Sequence, residues 1–390
     1  MNLELSATEL TDLIQRVFSP GPADRALAIL VDLPDQELAD NEAWCARRVL
    51  AAGWAGALEE GRDRHGLDIS LVLYRNARAN NADLPETMTI WEPSQPLPKT
   101  ADDLVGFPTT PAGEVLTRHQ LALAPTELSA TAPLKMLCPK YGCRAATMPG
   151  FSPEMVPALR LDYTEVNRRV TILKELLDRA VAADFVFEVA GQGAFELHLD
   201  LRHRSAHASG GLLPQAGMAG NLPSGEAYIV PYEGEIKGDA SRSAGVLPVQ
   251  LDGEIVLYRV ENNRAVEVIS EGPISSREAE LIAAEPAYSN LAELGLGVLA
   301  AFGVKPVGEV LLDEKLGLHI AFGRSEHFGG QVGPDQFSSP EAVTHQDRVY
   351  IKELQPDVLP VTVDLSFENG ETMPLMRDGK YVIVFVETRN

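Results

Sequence analysis

Two almost continuous apolar runs, Ala26-Leu-Ala-Ile-Leu-Val31 and Ile69-Ser-Leu-Val-Leu-Tyr74, stand on either side of a helical pattern from about Asn41 to Glu60. Runs of this kind read as strands buried on both faces, and strands so buried belong to parallel sheets covered by helices. With a further capped helix from about Ser6 to Phe18, the opening of the chain predicts a layered α/β domain. Such sheets collect ligands at the carboxyl ends of their strands. Asp32 and Asn80-Asn81 lie at such ends, where turn chemistry accounts for them equally well.

The middle of the chain is less regular. Thr87 to Pro125 is rich in proline and polar residues and reads as a loop or lid. Helical periodicity returns at Glu127 to Lys140, with Thr126 as cap, and at Tyr163 to Ala182, where Val166, Val170, Leu173, Leu176 and Leu177 form an apolar stripe. From about Asp184 the texture changes to short alternating runs, Phe185 to Val189, Glu196 to Asp200, Tyr228 to Val230, Val256 to Val260 and Val266 to Ile269. One helix near Ser276 to Glu285 interrupts them. The fold class expected is therefore α/β, with an N-terminal α/β domain built on a largely parallel sheet over residues 1–183. A C-terminal mixed or antiparallel β-rich domain follows over residues 184–390. A length of 390 residues exceeds what one hydrophobic core usually serves, which agrees with two domains.

Charge narrows the partners. With 33 basic against 56 acidic residues the formal net charge is −23, so nucleic acid and anionic membrane are excluded as main partners. Three cysteines, Cys45, Cys138 and Cys143, are too few for a disulfide framework, and buried thiols are the expectation for the Cys138/Cys143 pair. The N-terminus shows no basic region followed by an apolar run, and no stretch reaches membrane-spanning length, so a cytoplasmic protein is expected.

The chemistry gathers in the last third. Glu293, Glu314, His319, His345 and Asp347 fall within 55 residues, and Glu226 lies upstream in Asn221-Leu-Pro-Ser-Gly-Glu226. Four carboxylates and two imidazoles are the donor set that two neighbouring divalent cations require. Glu293 sits among Leu291, Leu294 and Leu296, where a carboxylate needs a cation, and is the expected bridging ligand. His319 opens a short apolar strand just after Glu314. His345 and Asp347 are spaced i, i+2, so a strand presents both on one face.

These segments, in this order, resemble the metallo-aminopeptidase family typified by aminopeptidase T, a two-metal type. The match is specific from about Gly220 to Val349. The resemblance implies that Glu226, Glu293, Glu314, His319, His345 and Asp347 bind two divalent metal ions (Zn, Co, Mn or Mg) in the C-terminal domain. It further implies a hydrolase cleaving peptides or small amides, and a homodimer. Where the family has a tyrosine seven residues beyond the strand histidine, this chain has Glu326, followed by His327. Those two become the candidates for catalytic acid–base work. Two alternatives stay open. One is a ring-cleaving dioxygenase of the dihydroxypyridine type, with one Fe(II) on His319, His345 and Asp347. The other is a former peptidase that binds a peptide or partner protein without catalysis.

Overall fold

The computed structural model describes residues 3–92 and 95–385. The chain forms two compact units: residues 1–167 with 209–224, and residues 168–208 with 225–390. The sequence suggested a single boundary near 184, whereas here the short segment 209–224 returns to the first unit.

The first unit is built on a seven-stranded sheet. Its strands are β1 (Ala26–Leu33), β2 (Asp68–Arg75), β3 (Thr87–Trp91), β4 (Thr110–Pro111), β5 (Leu121–Ala124), β6 (Arg144–Thr147) and, from the returning segment, β10 (Ala219–Asn221). They lie in the order β10-β6-β5-β1-β2-β3-β4; the pairs from β10 to β2 are parallel and those of β3 antiparallel. All eight residues of β1 are buried, as its apolar run requires of a central strand. The helix Ala7–Phe18 starts where Ser6 and Glu9 form a reciprocal capping box, and Asn41 caps the helix Glu42–Glu60.

Two expectations for this unit change. The stretch from Thr87 to Pro125 is not a loop or lid: it supplies β3, β4, β5 and the helix Ala112–Arg118, elements too short to carry a periodic signal. The helix expected from Glu127 begins only at Thr131, because the Thr126 hydroxyl bonds the Leu128 carbonyl instead of capping a helix. The backbone N–H groups of Glu127 and Leu128 go instead to Asp32, at 2.8 and 2.9 Å. Asp32 thus holds the 126–128 turn and Asn80 and Asn81 accept N–H bonds from Ser129 and Ala132, so turn chemistry explains all three. Cys138 and Cys143 are buried, with a 2.8 Å thiol hydrogen bond between them.

The Asp32 carboxyl is 1% exposed, and burial pushes it up to about 6 despite its two N–H bonds. A folded value above the unfolded one means that the folded state holds the proton more tightly. The associated stability is complete below the unfolded value and is lost as pH rises through about 6. The integrated change is about 3 kcal/mol. Trp44, Trp54 and Trp91, the only tryptophans, all lie in the first unit, so their fluorescence in urea reports its unfolding. Asp32→Asn is expected to gain stability relative to the parent between pH 4 and pH 7. A difference between the two that stays constant with pH would refute this.

The second unit holds two sheets. β7 (Ala180–Val189), β8 (Gly193–Asp200), β12 (Ala244–Leu251), β13 (Glu254–Glu261), β14 (Arg264–Val268), β18 (Val358–Phe367), β19 (Thr372–Arg377) and β20 (Lys380–Tyr381) form an eight-stranded antiparallel sheet, in the order β14-β13-β12-β8-β7-β18-β19-β20. The five-stranded sheet runs β17-β16-β15-β11-β9, with β9 (His207–Ser209), β11 (Glu226–Ile229), β15 (Leu291–Gly297), β16 (Leu318–Gly323) and β17 (His345–Val349). The pairs from β11 to β17 are antiparallel, and β11, β15 and β16 are buried throughout. The fold is thus mixed α/β, with a largely parallel sheet in the first unit and antiparallel sheets in the second. No helix among the described residues is long and apolar enough to cross a membrane.

Candidate metal centre

The register of the five-stranded sheet brings the candidate residues to one face. Glu226 pairs with Gly297 and Tyr228 with Gly295, Gly295 pairs in turn with His319, and Glu293 pairs with Ala321, which pairs with Asp347. Side chains alternate along each strand, so Glu226, Tyr228, Glu293, His319, His345 and Asp347 share that face. The positions between them on the face are small: Gly295, Gly297, Ala321 and Gly323. A register shift between Leu291 and Glu293 marks a bulge beside the carboxylate, a device that re-aims a side chain. A Cβ at Gly295 would lie 1.8 Å from His319 Nε2, so the imidazole lies directly across this strand.

Glu293 stands between the two histidines. Its Oε1 is 3.3 Å from His319 Nε2 and its Oε2 is 3.3 Å from His345 Nε2. Donor atoms within 4.8 Å of one another form two triads, Glu226/Glu293/His319 and Glu293/His345/Asp347, with Glu293 common to both. The side chains are sequestered: His319 is 0% exposed and the carboxylates of Glu293 and Asp347 are 5% and 4% exposed.

Both imidazoles have the orientation of metal ligands. Nδ1 of His319 faces the Gly317 carbonyl at 3.2 Å and Nδ1 of His345 faces the Arg324 carbonyl at 2.8 Å, which directs each Nε2 into the centre. Each Nε2 then meets carboxylate oxygens at 3.3–3.6 Å, longer than a charge-assisted hydrogen bond of about 2.7–2.9 Å. Glu226 Oε2 and Asp347 Oδ1 are buried with no hydrogen-bond donor. Two orphaned carboxylate oxygens and inward-facing imidazole nitrogens fit a divalent cation bound by oxygen and nitrogen.

The electrostatics reflect the same crowding. Although burial works against the charged form of Glu293, hydrogen bonds from His319 and His345 hold its carboxyl down at about 2. Burial likewise opposes charge on His319, yet Glu293 and Asp347 push it up to about 9. Burial, together with the charges of Glu226 and Asp347, raises Glu314.

Glu314 belongs to neither triad. It sits in a single 3-10 turn before β16 and bonds to the ammonium of its neighbour Lys315, which also donates to Glu226 Oε1 at 2.5 Å. Lys315 is 1% exposed. Nothing in the sequence pattern singled it out except its place between two expected ligands.

The proposed acid–base residues separate. Glu326 is exposed and paired with Arg324 at 2.8 Å, and no described contact brings it to the centre. The ring of His327 stands edge-on to that of His345, with centroids 5.5 Å apart. Glu233 anchors this loop, accepting from Asn290, Ser325 and the Gln331 backbone. Tyr228 was missed, although its i, i+2 spacing from Glu226 was available. Its ring packs on His207 and Phe328, and burial, with the charges of Glu293 and Glu226, pushes its phenol upward. The dioxygenase triad fares less well, because His319 and His345 fall in different donor groups.

Comparison with protein-family models finds no match. Two curated relatives, aminopeptidase T of Thermus aquaticus and of Thermus thermophilus, are 29% and 28% identical over 182 residues. These matches span 42% of this chain and 40% of the length of each relative. Among solved structures, 2,5-dihydroxypyridine dioxygenase from Pseudomonas putida KT2440 superposes with a TM-score of 0.59 at 15% identity, covering 97% of this chain and 98% of that one. Wild-type AmpT from Thermus thermophilus superposes at 0.54 with 17% identity, covering 98% and 99%. The fold is shared with both, and sequence similarity together with fold supports an aminopeptidase T-like relationship.

Proposed function

We propose that this protein is a metal-dependent hydrolase of the aminopeptidase type, acting on the amide bond of a peptide or small aminoacyl compound. The observation that carries this reading is the pair of triads joined through Glu293, with orphaned carboxylate oxygens on Glu226 and Asp347. Sequence similarity to two aminopeptidases T supports hydrolysis over ring cleavage. A divalent ion bound here would supply an acidified water and polarise a carbonyl.

The chain's own residues do the rest. Glu226, Glu293, His319, His345 and Asp347 are the ligand candidates, and the backbone carbonyls of Gly317 and Arg324 fix the imidazole orientation. His327 lies beside His345 in an exposed turn and would pass a proton to the leaving amine. Tyr228 offers a phenol on the site face where the family tyrosine is absent, and its hydroxyl would orient the scissile carbonyl.

A panel of aminoacyl amides and short peptides, assayed on chelated protein with zinc, manganese or cobalt restored, tests the reading. Metal-dependent release of the N-terminal residue is expected. Tyr228→Phe should then lower kcat by about 100–1,000-fold, an oxyanion-type contribution, while metal content stays unchanged. Oxygen uptake with iron on a dihydroxypyridine, and no amide cleavage, would decide for the dioxygenase. Occupied metal without any turnover would decide for a binding protein.

A further inference from the structure

We propose that the ammonium of Lys315 takes the place of one of the two expected cations, so that the centre binds a single divalent ion through Glu293, His345 and Asp347. The inference rests on the metal-dependent reading and replaces its two-ion expectation.

Glu226 Oε1 lies 2.5 Å from Lys315 Nζ, and Glu314 Oε1 bonds to the same nitrogen. A cation ligated by those oxygens would sit at about 2.0–2.2 Å from them, in the space that the ammonium fills. A protonated amine has no lone pair to ligate a metal, and its charge repels one. Lys315 cannot simply swing away to water, because its side chain is 1% exposed and lies within the buried centre.

Charge and geometry divide the four carboxylates in the same way. Glu226 and Glu314 share the lysine charge, whereas Glu293 and Asp347 stay with His345 as a donor group away from the ammonium bonds. Asp347 Oδ1 has no donor, and Glu293 Oε2 and Asp347 Oδ1 both face His345 Nε2. Three donors converging on one point, with a buried and unpartnered oxygen among them, are what a single ion requires. His319 then acts on the other oxygen of Glu293 as a positioning residue.

The full chain, stripped with a chelator, reloaded with manganese or zinc and dialysed, is analysed for metal per chain by emission spectrometry and by calorimetric titration. One ion per chain is expected in the parent, and two in Lys315→Gln, in which the charge is removed while most of the length is kept. Two ions in the parent would overturn the proposal and leave metal-dependent hydrolysis standing. One ion in a folded Lys315→Gln would overturn it also. No ion in the parent would remove both readings together. Should Lys315→Gln fail to fold, the count in the parent alone still decides.

Discussion

Glu293→Ala is expected to abolish metal binding and amide hydrolysis together, the largest effect of any single substitution in this protein. Glu226, His319, His345 and Asp347 each belong to one triad, and Glu293 belongs to both, with one oxygen directed at each histidine. Loss of an outer-shell partner typically weakens a metal site by about 10–100-fold, and loss of a shared ligand should exceed that. The substitution also removes the carboxylate that holds His319 at about 9, so the buried imidazoles lose a principal counter-charge. Breaking a buried charge pair from one side costs about 3–5 kcal/mol. A thermal melt with and without added metal separates the two effects. The parent should show a metal-induced rise in Tm, while Glu293→Ala should melt lower and show no response. A variant that responds to metal as the parent does would remove Glu293 from the coordination scheme.

The legible parts of this structure were those written in local pattern. The apolar runs that became β1 and β2 announced themselves because a strand buried on both faces leaves no polar alternation. The order of the motifs, with the i, i+2 spacing of His345 and Asp347, was enough to gather the donors on one face. What stayed hidden depends on partners distant in sequence. β10 joins the first unit by pairing Ala219–Asn221 with Ala145–Thr147, an event with no signature in either three-residue stretch. Thr126 looked like a cap, but the N–H groups that would have started a helix there are claimed by Asp32. Lys315 carried no local sign of burial, since a charged side chain is almost never fully buried unless paired. Its pairing with Glu226, 89 residues earlier, is a tertiary fact. Glu326, by contrast, is exposed and pairs with Arg324, two residues away, a partner its own sequence neighbourhood supplies.

Gly295→Ala is expected to weaken metal binding by about 10–100-fold, the range for disturbing the support of a ligand, and to destabilise the second unit by about 1–3 kcal/mol. The added methyl would lie 1.8 Å from Nε2, 2.2 Å from Cε1 and 2.5 Å from Cδ2 of His319, all well inside contact distance. Backbone conformation contributes nothing to this penalty, because Gly295 is absent from the glycines with positive φ among the described residues. The ring must therefore move, and His319 at 0% exposure has little free space to enter. Moving it breaks the 3.3 Å approach to Glu293 and frees a carboxylate oxygen that the imidazole had oriented. Calorimetric titration and urea unfolding measure the two quantities. A second background isolates the cause: with His319 already replaced by alanine, the methyl at position 295 meets no ring, so its destabilising effect should largely vanish. If Gly295→Ala costs as much stability in the His319→Ala background as in the parent, the glycine serves some other neighbour and the close crossing of ring and strand is not what it protects.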